Sequence, residues 1–118
     1  PIYLRVNHSA TDGPWQIAIE RPLSSTENMD ITLELSSGAV ATSGNTRRSF
    51  IHDGIRYGHI LDPQTGWPVR NAPLSVTVVA SNCSEAGMWS TLAMLQGENA
   101  ETFLQEEQIK NWCLRSAN

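Results

Sequence analysis

Two short stretches of this chain gather the residue types that chemistry needs. The first is Thr42-Ser-Gly-Asn-Thr-Arg-Arg48. A Ser43-Gly44-Asn45 run at a strand end offers backbone N–H groups free of Cβ crowding, a concavity suited to phosphate oxygens. Arg47 or Arg48 would add charge-assisted hydrogen bonds to such an anion. The same residues also read as a bulge with solvated arginines. The second stretch is His59-Ile-Leu-Asp-Pro-Gln-Thr-Gly-Trp-Pro68. Pro63 locks φ and Gly66 permits φ above zero, so Asp62 to Gly66 forms a tight loop. His59 stands three residues before Asp62, within reach of a carboxylate that could orient its imidazole. An oriented histidine serves as a general base or proton relay near neutral pH, although a histidine beside a turn also reads as structural. His8 and His52 have no such company and read as surface residues. Asp12 and Asp53 each precede a glycine, and turns account for both.

The elements that must position these stretches are mostly strands. Trp15, Ile17 and Ile19 alternate on one face, as do Ile31, Leu33 and Leu35. Ser36-Ser-Gly38, Gly13-Pro14 and the polar run Ser24 to Asn28 supply turn chemistry. Ile2 to Val6 and Ala39 to Thr42 read as further strands. Ser49 to Ile51 and Ile55 to Tyr57 read as a hairpin around Asp53-Gly54, and the β-branched run Ser75 to Ala80 as a well-buried strand. The pattern then becomes helical. Asn82 followed by Glu85 resembles a capping box, Met88, Leu92 and Leu95 recur at helical spacing, and Gly97 stops the helix. Asn99 is positioned to cap a second helix carrying Phe103 and Leu104, and Trp112 to Leu114 reads as a last strand. Strands followed by late helices predict an α+β fold with a mainly antiparallel sheet, in one domain spanning residues 1–118.

Composition removes several classes. The chain has 118 residues, enough for one core, with 40% hydrophobic and 17% charged residues. No apolar run approaches the roughly 20 residues of a membrane-spanning helix, and Pro1 to Asn7 show no signal-peptide pattern. A net charge of −4 argues against general nucleic-acid binding. Cys83 and Cys113 lack metal-binding spacing and read as two buried thiols, with a disulfide open only if the fold brings them together.

The order of several segments is that of a known family. Gly13-Pro-Trp-Gln-Ile-Ala-Ile19, Ala39-Val-Ala-Thr-Ser-Gly-Asn45, Asp53-Gly-Ile-Arg-Tyr-Gly-His-Ile-Leu-Asp-Pro-Gln-Thr-Gly66 and Val76-Thr-Val-Val-Ala80, with the helix from Cys83 to Gly97 behind them, resemble the FAD:protein FMN transferase (ApbE) family over nearly the whole chain. That resemblance implies an enzyme binding FAD and Mg²⁺ that transfers FMN to a threonine or serine hydroxyl of a target protein, releasing AMP. It implies the proton role for His59. Asp62, Thr65 and Gly66 would hold the flavin-site loop, and Ser43 and Gly44 would lie along the dinucleotide. It also implies bacterial work at the outer face of the inner membrane.

Two departures from the family's pattern set further expectations. The chain resembles only the C-terminal part of the catalytic domain. In the family, the helix after the buried strand carries Ala-Asp-x-x-Ala-Thr, whose Asp and Thr bind the metal. Here it reads Ala86-Gly-Met-Trp-Ser-Thr91, so Thr91 keeps its place and Gly87 replaces the carboxylate, which weakens the hold on a hard dication. Glu85 lies about 200° around the helix and does not substitute, while Met88 and Trp89 read as packing residues. Reduced or absent independent catalysis follows, with a non-catalytic flavin or nucleotide module or a ligand-free assembly domain as alternatives. Apolar surface left uncovered would favour a homodimer or a partner chain covering the missing half.

Overall fold

The computed structural model describes residues 2–6, 13–20, 31–44 and 48–116. The Ser24 to Asn28 turn, Asn45, Arg47, His8 and Asp12 lie outside the described residues. Four strands form one antiparallel sheet in the order β1 (Ile2–Val6), β4 (Gly38–Gly44), β7 (Ser75–Ala80) and β8 (Asn111–Leu114). A separate antiparallel ribbon pairs β2 (Trp15–Ile19) with β3 (Ile31–Leu35), Ile17 opposite Leu33. The remaining pair, β5 (Ser49–His52) and β6 (Ile55–Gly58), is the expected hairpin. Asp53 and Gly54 at its tip have φ of 50° and 76°, the double positive-φ turn that matches strand twist.

Alternation along the central strands builds two cores. Ala41, Val76 and Val78 face α1 (Cys83–Leu95) and α2 (Ala100–Glu106) together with Met94 and Leu104. Val40 and Leu114 join Ile19, Leu33 and Leu35 of the ribbon in the second cluster. The result is an α+β structure with helices on one sheet face and the ribbon against the other.

Helix α1 starts where the sequence indicates, with Asn82 Oδ1 accepting from the Glu85 N–H at 2.9 Å. The Glu85 carboxylate does not close a reciprocal box; it accepts from Ser81 Oγ at 2.9 Å. The buried face differs from the expected stripe. Ala86, Gly87, Ser90, Ala93 and Met94 are buried, Leu92 and Leu95 are only half-buried, and Met88 is exposed. Small residues let α1 lie close on β4 and β7, so the larger side chains turn to the flanks. Trp89 does pack, with its ring 5.7 Å from Phe103.

Gly97, at φ 60°, ends the helix in the left-handed region. A Cβ there would lie 2.6 Å from the Arg70 carbonyl oxygen, so glycine also admits the neighbouring loop. A short 3₁₀ turn, Gly97–Asn99, leads into α2, and Asn99 makes no side-chain cap. That turn already carries the chain into α2, which is why the expected cap is not used.

The β5–β6 hairpin is an arm whose strands pack mainly on each other. Phe50 and Tyr57 stack at 5.4 Å, but Phe50, Ile51 and Ile55 remain 55, 74 and 55% exposed. Cys83 and Cys113 are free thiols, each half-buried rather than fully buried. Burial pushes the Cys113 thiol up to about 11.

Candidate functional site

The Asp62 loop is closed by its own backbone. Gly66 N–H donates to the Asp62 carbonyl at 2.8 Å, Asp62 N–H donates to the Trp67 carbonyl at 2.8 Å, and Leu61 bridges Pro68. Gly66 has φ 74°, as a left-handed turn position requires. Asp62 Oδ1 accepts from Gln64 N–H at 2.8 Å and Thr65 Oγ1 from Trp67 N–H at 3.2 Å. Both side chains therefore shape the loop.

The expected pairing of Asp62 with His59 is not the one formed. His59 Nδ1 lies 3.2 Å from the Arg48 carbonyl oxygen, while the Asp62 carboxylate is turned to its own loop. A carbonyl only accepts, so Nδ1 carries the hydrogen. In the neutral ring this leaves Nε2 as an unprotonated acceptor, the state a general base needs. A strand end thus orients His59 in place of a carboxylate.

Ser43 and Thr91, assigned to different roles by the sequence, are brought together. Ser43 points from β4 into α1, where its Oγ lies 2.9 Å from Ser90 Oγ and 3.2 Å from Thr91 Oγ1. Ser90 Oγ donates to the Gly87 carbonyl at 3.1 Å. Gly44 is close-packed, since a Cβ would sit 3.1 Å from the Leu74 carbonyl oxygen. Beside it, Ser75 Oγ is buried and has no hydrogen-bond partner among the described residues. Residues Gly87, Thr91 and Leu95 fall at four-residue spacing, one stripe of α1.

That stripe leads to a cleft of about 600 Å³. Tyr57, Trp67, Asp62 and Thr65 line it together with Arg70 and the α1 end from Leu95 to Asn99. Ser43, Thr91 and His59 are outside its lining, so the candidate residues form neighbouring groups rather than one ring.

Arg115, itself outside the lining, braces two residues of the cleft, which the sequence did not reveal. Its guanidinium donates to both oxygens of Glu101 at 2.6 Å, to the Asn71 carbonyl at 2.9 Å and to the Gly97 carbonyl at 2.9 Å. Asn71 and Gly97 both line the cleft, so one side chain ties its two walls together. The Arg115 hydrogen bonds hold the Glu101 carboxyl below its ordinary value. Ser90 was equally unmarked, since a serine inside a helix carries no distinguishing pattern.

The donor set fits a cation only in part. Thr91 Oγ1, the oxygen the family resemblance assigns to a metal, lies 3.2 Å from Ser43 Oγ, and position 87, one turn earlier, offers no carboxylate. Among the described residues no group of three or more His, Cys, Asp or Glu side chains converges to hold a metal.

The profile of the ApbE family matches residues 3–112. The chain belongs to the ApbE family. It is 42% identical over 96 residues to the FAD:protein FMN transferase of Vibrio cholerae, covering 80% of this chain and 29% of the relative. The Escherichia coli FAD:protein FMN transferase is 35% identical over 97 residues, covering 81% and 28%. The crystal structure of the ApbE protein from Thermotoga maritima superposes with a TM-score of 0.76 at 29% identity, covering 98% of this chain and 40% of that one. The apo flavinyl transferase ApbE of Pseudomonas stutzeri gives 0.74 at 34% identity, covering 89% and 32%. This ApbE-family chain therefore spans under a third of the length of these curated relatives. No helix among its described residues is long and apolar enough to cross a membrane.

Proposed function

We propose that this chain is the C-terminal part of a bacterial FMN transferase domain and holds a flavin nucleotide in the cleft beside the Asp62 loop. The observation that carries this reading is the cleft itself, which joins the family's loop residues Asp62 and Thr65 to the rings of Tyr57 and Trp67. Aromatic walls suit a planar heterocycle, and Arg70 adds a fixed positive charge for an anionic group. Gly66 sets the loop, and Ser43 and Gly44 border the dinucleotide's path.

In the transfer reaction the hydroxyl oxygen of a target threonine or serine bonds to the FMN phosphorus. The phosphorus–oxygen bond to AMP breaks, and the hydroxyl proton passes to His59 Nε2. A bound Mg²⁺ would neutralise pyrophosphate charge, with Thr91 as its ligand from this chain. Gly87 withholds the second ligand, so independent catalysis is reduced or absent. The exposed arm favours a homodimer or a partner chain that completes the domain, and the family relationship favours export to the bacterial periplasm.

Calorimetric titration with FAD, with and without Mg²⁺, tests this reading. Binding that Trp67→Ala weakens is the expected result. Failure to bind FAD would overturn it in favour of a ligand-free assembly domain, and binding indifferent to Trp67→Ala would overturn the cleft as the place where the nucleotide is held.

A further inference from the structure

Three contacts join four groups beneath α1: Thr91 to Ser43 at 3.2 Å, Ser43 to Ser90 at 2.9 Å, and Ser90 to the Gly87 carbonyl at 3.1 Å. Three hydroxyl protons serve them. The Gly87 carbonyl can only accept, so the Ser90 proton lies on that line. Ser90 then has none for Ser43, and Ser43 must donate to Ser90. Ser43 in turn has none for Thr91, and Thr91 must donate to Ser43. No other assignment gives each contact a proton. Thr91 Oγ1 is left with lone pairs and no hydrogen to offer. By contrast, the Thr42–Thr77 hydroxyl pair at 2.9 Å ends on no carbonyl among the described contacts, and either member can donate.

We propose that Ser90 is a positioning residue that acts through Ser43 to fix the Thr91 hydroxyl as a pure acceptor, so that Thr91 receives an electropositive group and rejects a phosphate oxygen. This rests on the flavin-nucleotide reading above and narrows it. A phosphate oxygen brought to Thr91 would meet lone pairs, whereas a cation or an O–H or N–H donor would be held. Ser90 is fully buried, and so acts only through the relay. The electropositive group has two sources: a divalent cation on the pyrophosphate, or a donor on the nucleotide itself.

The test compares FAD binding by the wild-type chain, Ser90→Ala and Thr91→Val, each in Mg²⁺ and in EDTA. Without Ser90, the Ser43 proton is free to turn to Thr91 and the Thr91 proton to turn outward. Both variants are expected to keep their circular dichroism and to bind FAD about three- to tenfold more weakly. A loss confined to Mg²⁺ assigns the group to the cation, and a loss in both arms assigns it to the nucleotide. Unchanged affinity in Ser90→Ala overturns the proposal, because a merely structural role would lower the unfolding midpoint and leave affinity alone. Neutron diffraction from a deuterium-exchanged crystal reads the relay without any ligand. Deuterons on Ser90 toward Gly87, on Ser43 toward Ser90 and on Thr91 toward Ser43 are expected, and a Ser43 deuteron aimed at Thr91 overturns the assignment. If no FAD binds, the flavin reading fails while the neutron map still decides the relay.

Discussion

Between β4 and α1, the hydroxyls of Ser43, Ser90 and Thr91 all have partners inside the protein. In the β5–β6 arm, the large apolar side chains of Phe50, Ile51 and Ile55 face outward. Both regions come from the same short chain, and the arm enters the cleft through Tyr57 while the three hydroxyls stay outside its lining. The first is determined by its own neighbours. The second is a two-stranded ribbon of the kind that is marginal in water on its own, and its surface suits something it does not itself contain. Substitutions in the body should therefore be read out as stability, and substitutions in the arm as association.

The widest separation should come from Met94. It is fully buried in the core beneath the helices, so Met94→Ala removes apolar contacts and leaves a cavity. We expect a loss of about 2–5 kcal/mol in denaturant unfolding. Ile51→Ser in the arm should change the same midpoint by no more than about 0.5 kcal/mol. Equal losses at the two positions would break the distinction between body and arm.

A smaller effect is expected at the Arg115–Glu101 clamp. The Arg115 guanidinium depresses the Glu101 carboxyl from its ordinary value of 4.5. A carboxyl with a lowered folded pKa adds stability that is present above its unfolded value and lost as pH falls through the folded one. Thermal unfolding followed downward from pH 6 should thus show a decline beginning near pH 4.5 that is shallower in Glu101→Gln. Since both partners are partly exposed, Arg115→Ala should cost about 1–2 kcal/mol, less than the Met94 cavity. It should also loosen the cleft, because Asn71 and Gly97 lose their common tether. An unchanged pH profile in Glu101→Gln would show that the clamp contributes nothing in solution.

These residues also show what could be read in the sequence. The strands were legible because Ile17, Ile19, Leu33 and Leu35 alternate over a one-sided core. The arm's turn was legible because two consecutive positive φ angles call for Asp53-Gly54, and the start of α1 because Asn82 caps it. The buried face of α1 was not. Periodicity marks large apolar residues, whereas close packing against a sheet selected Ala86, Ser90 and Ala93. At the site, Pro63 and Gly66 disclosed a loop whose conformation is local. The partner of His59 is the backbone of Arg48, eleven residues away, and backbone carbonyls leave no mark in side-chain patterns. Arg115 gathers Asn71 from one segment and Gly97 and Glu101 from another, and only the tertiary fold reveals that convergence.

The smallest change in stability carries the sharpest statement about the arm. Phe50 and Tyr57 stack across the hairpin, so Phe50 already has a partner, while Ile51 stands on the opposite strand face beside Arg56. If the arm associates through Ile51, Ile51→Ser should leave unfolding unchanged and lower the mass seen by light scattering at micromolar concentration. A chain that is monomeric before and after the substitution would remove self-association. The arm's apolar residues would then be left for a segment like the 71% of the V. cholerae relative that lies beyond the region matched here (100 − 29). A wild-type dimer unaffected by Ile51→Ser would instead move the interface off the arm, toward the outer edges of β1 or β8, where among the described residues each strand has a neighbour on one side only.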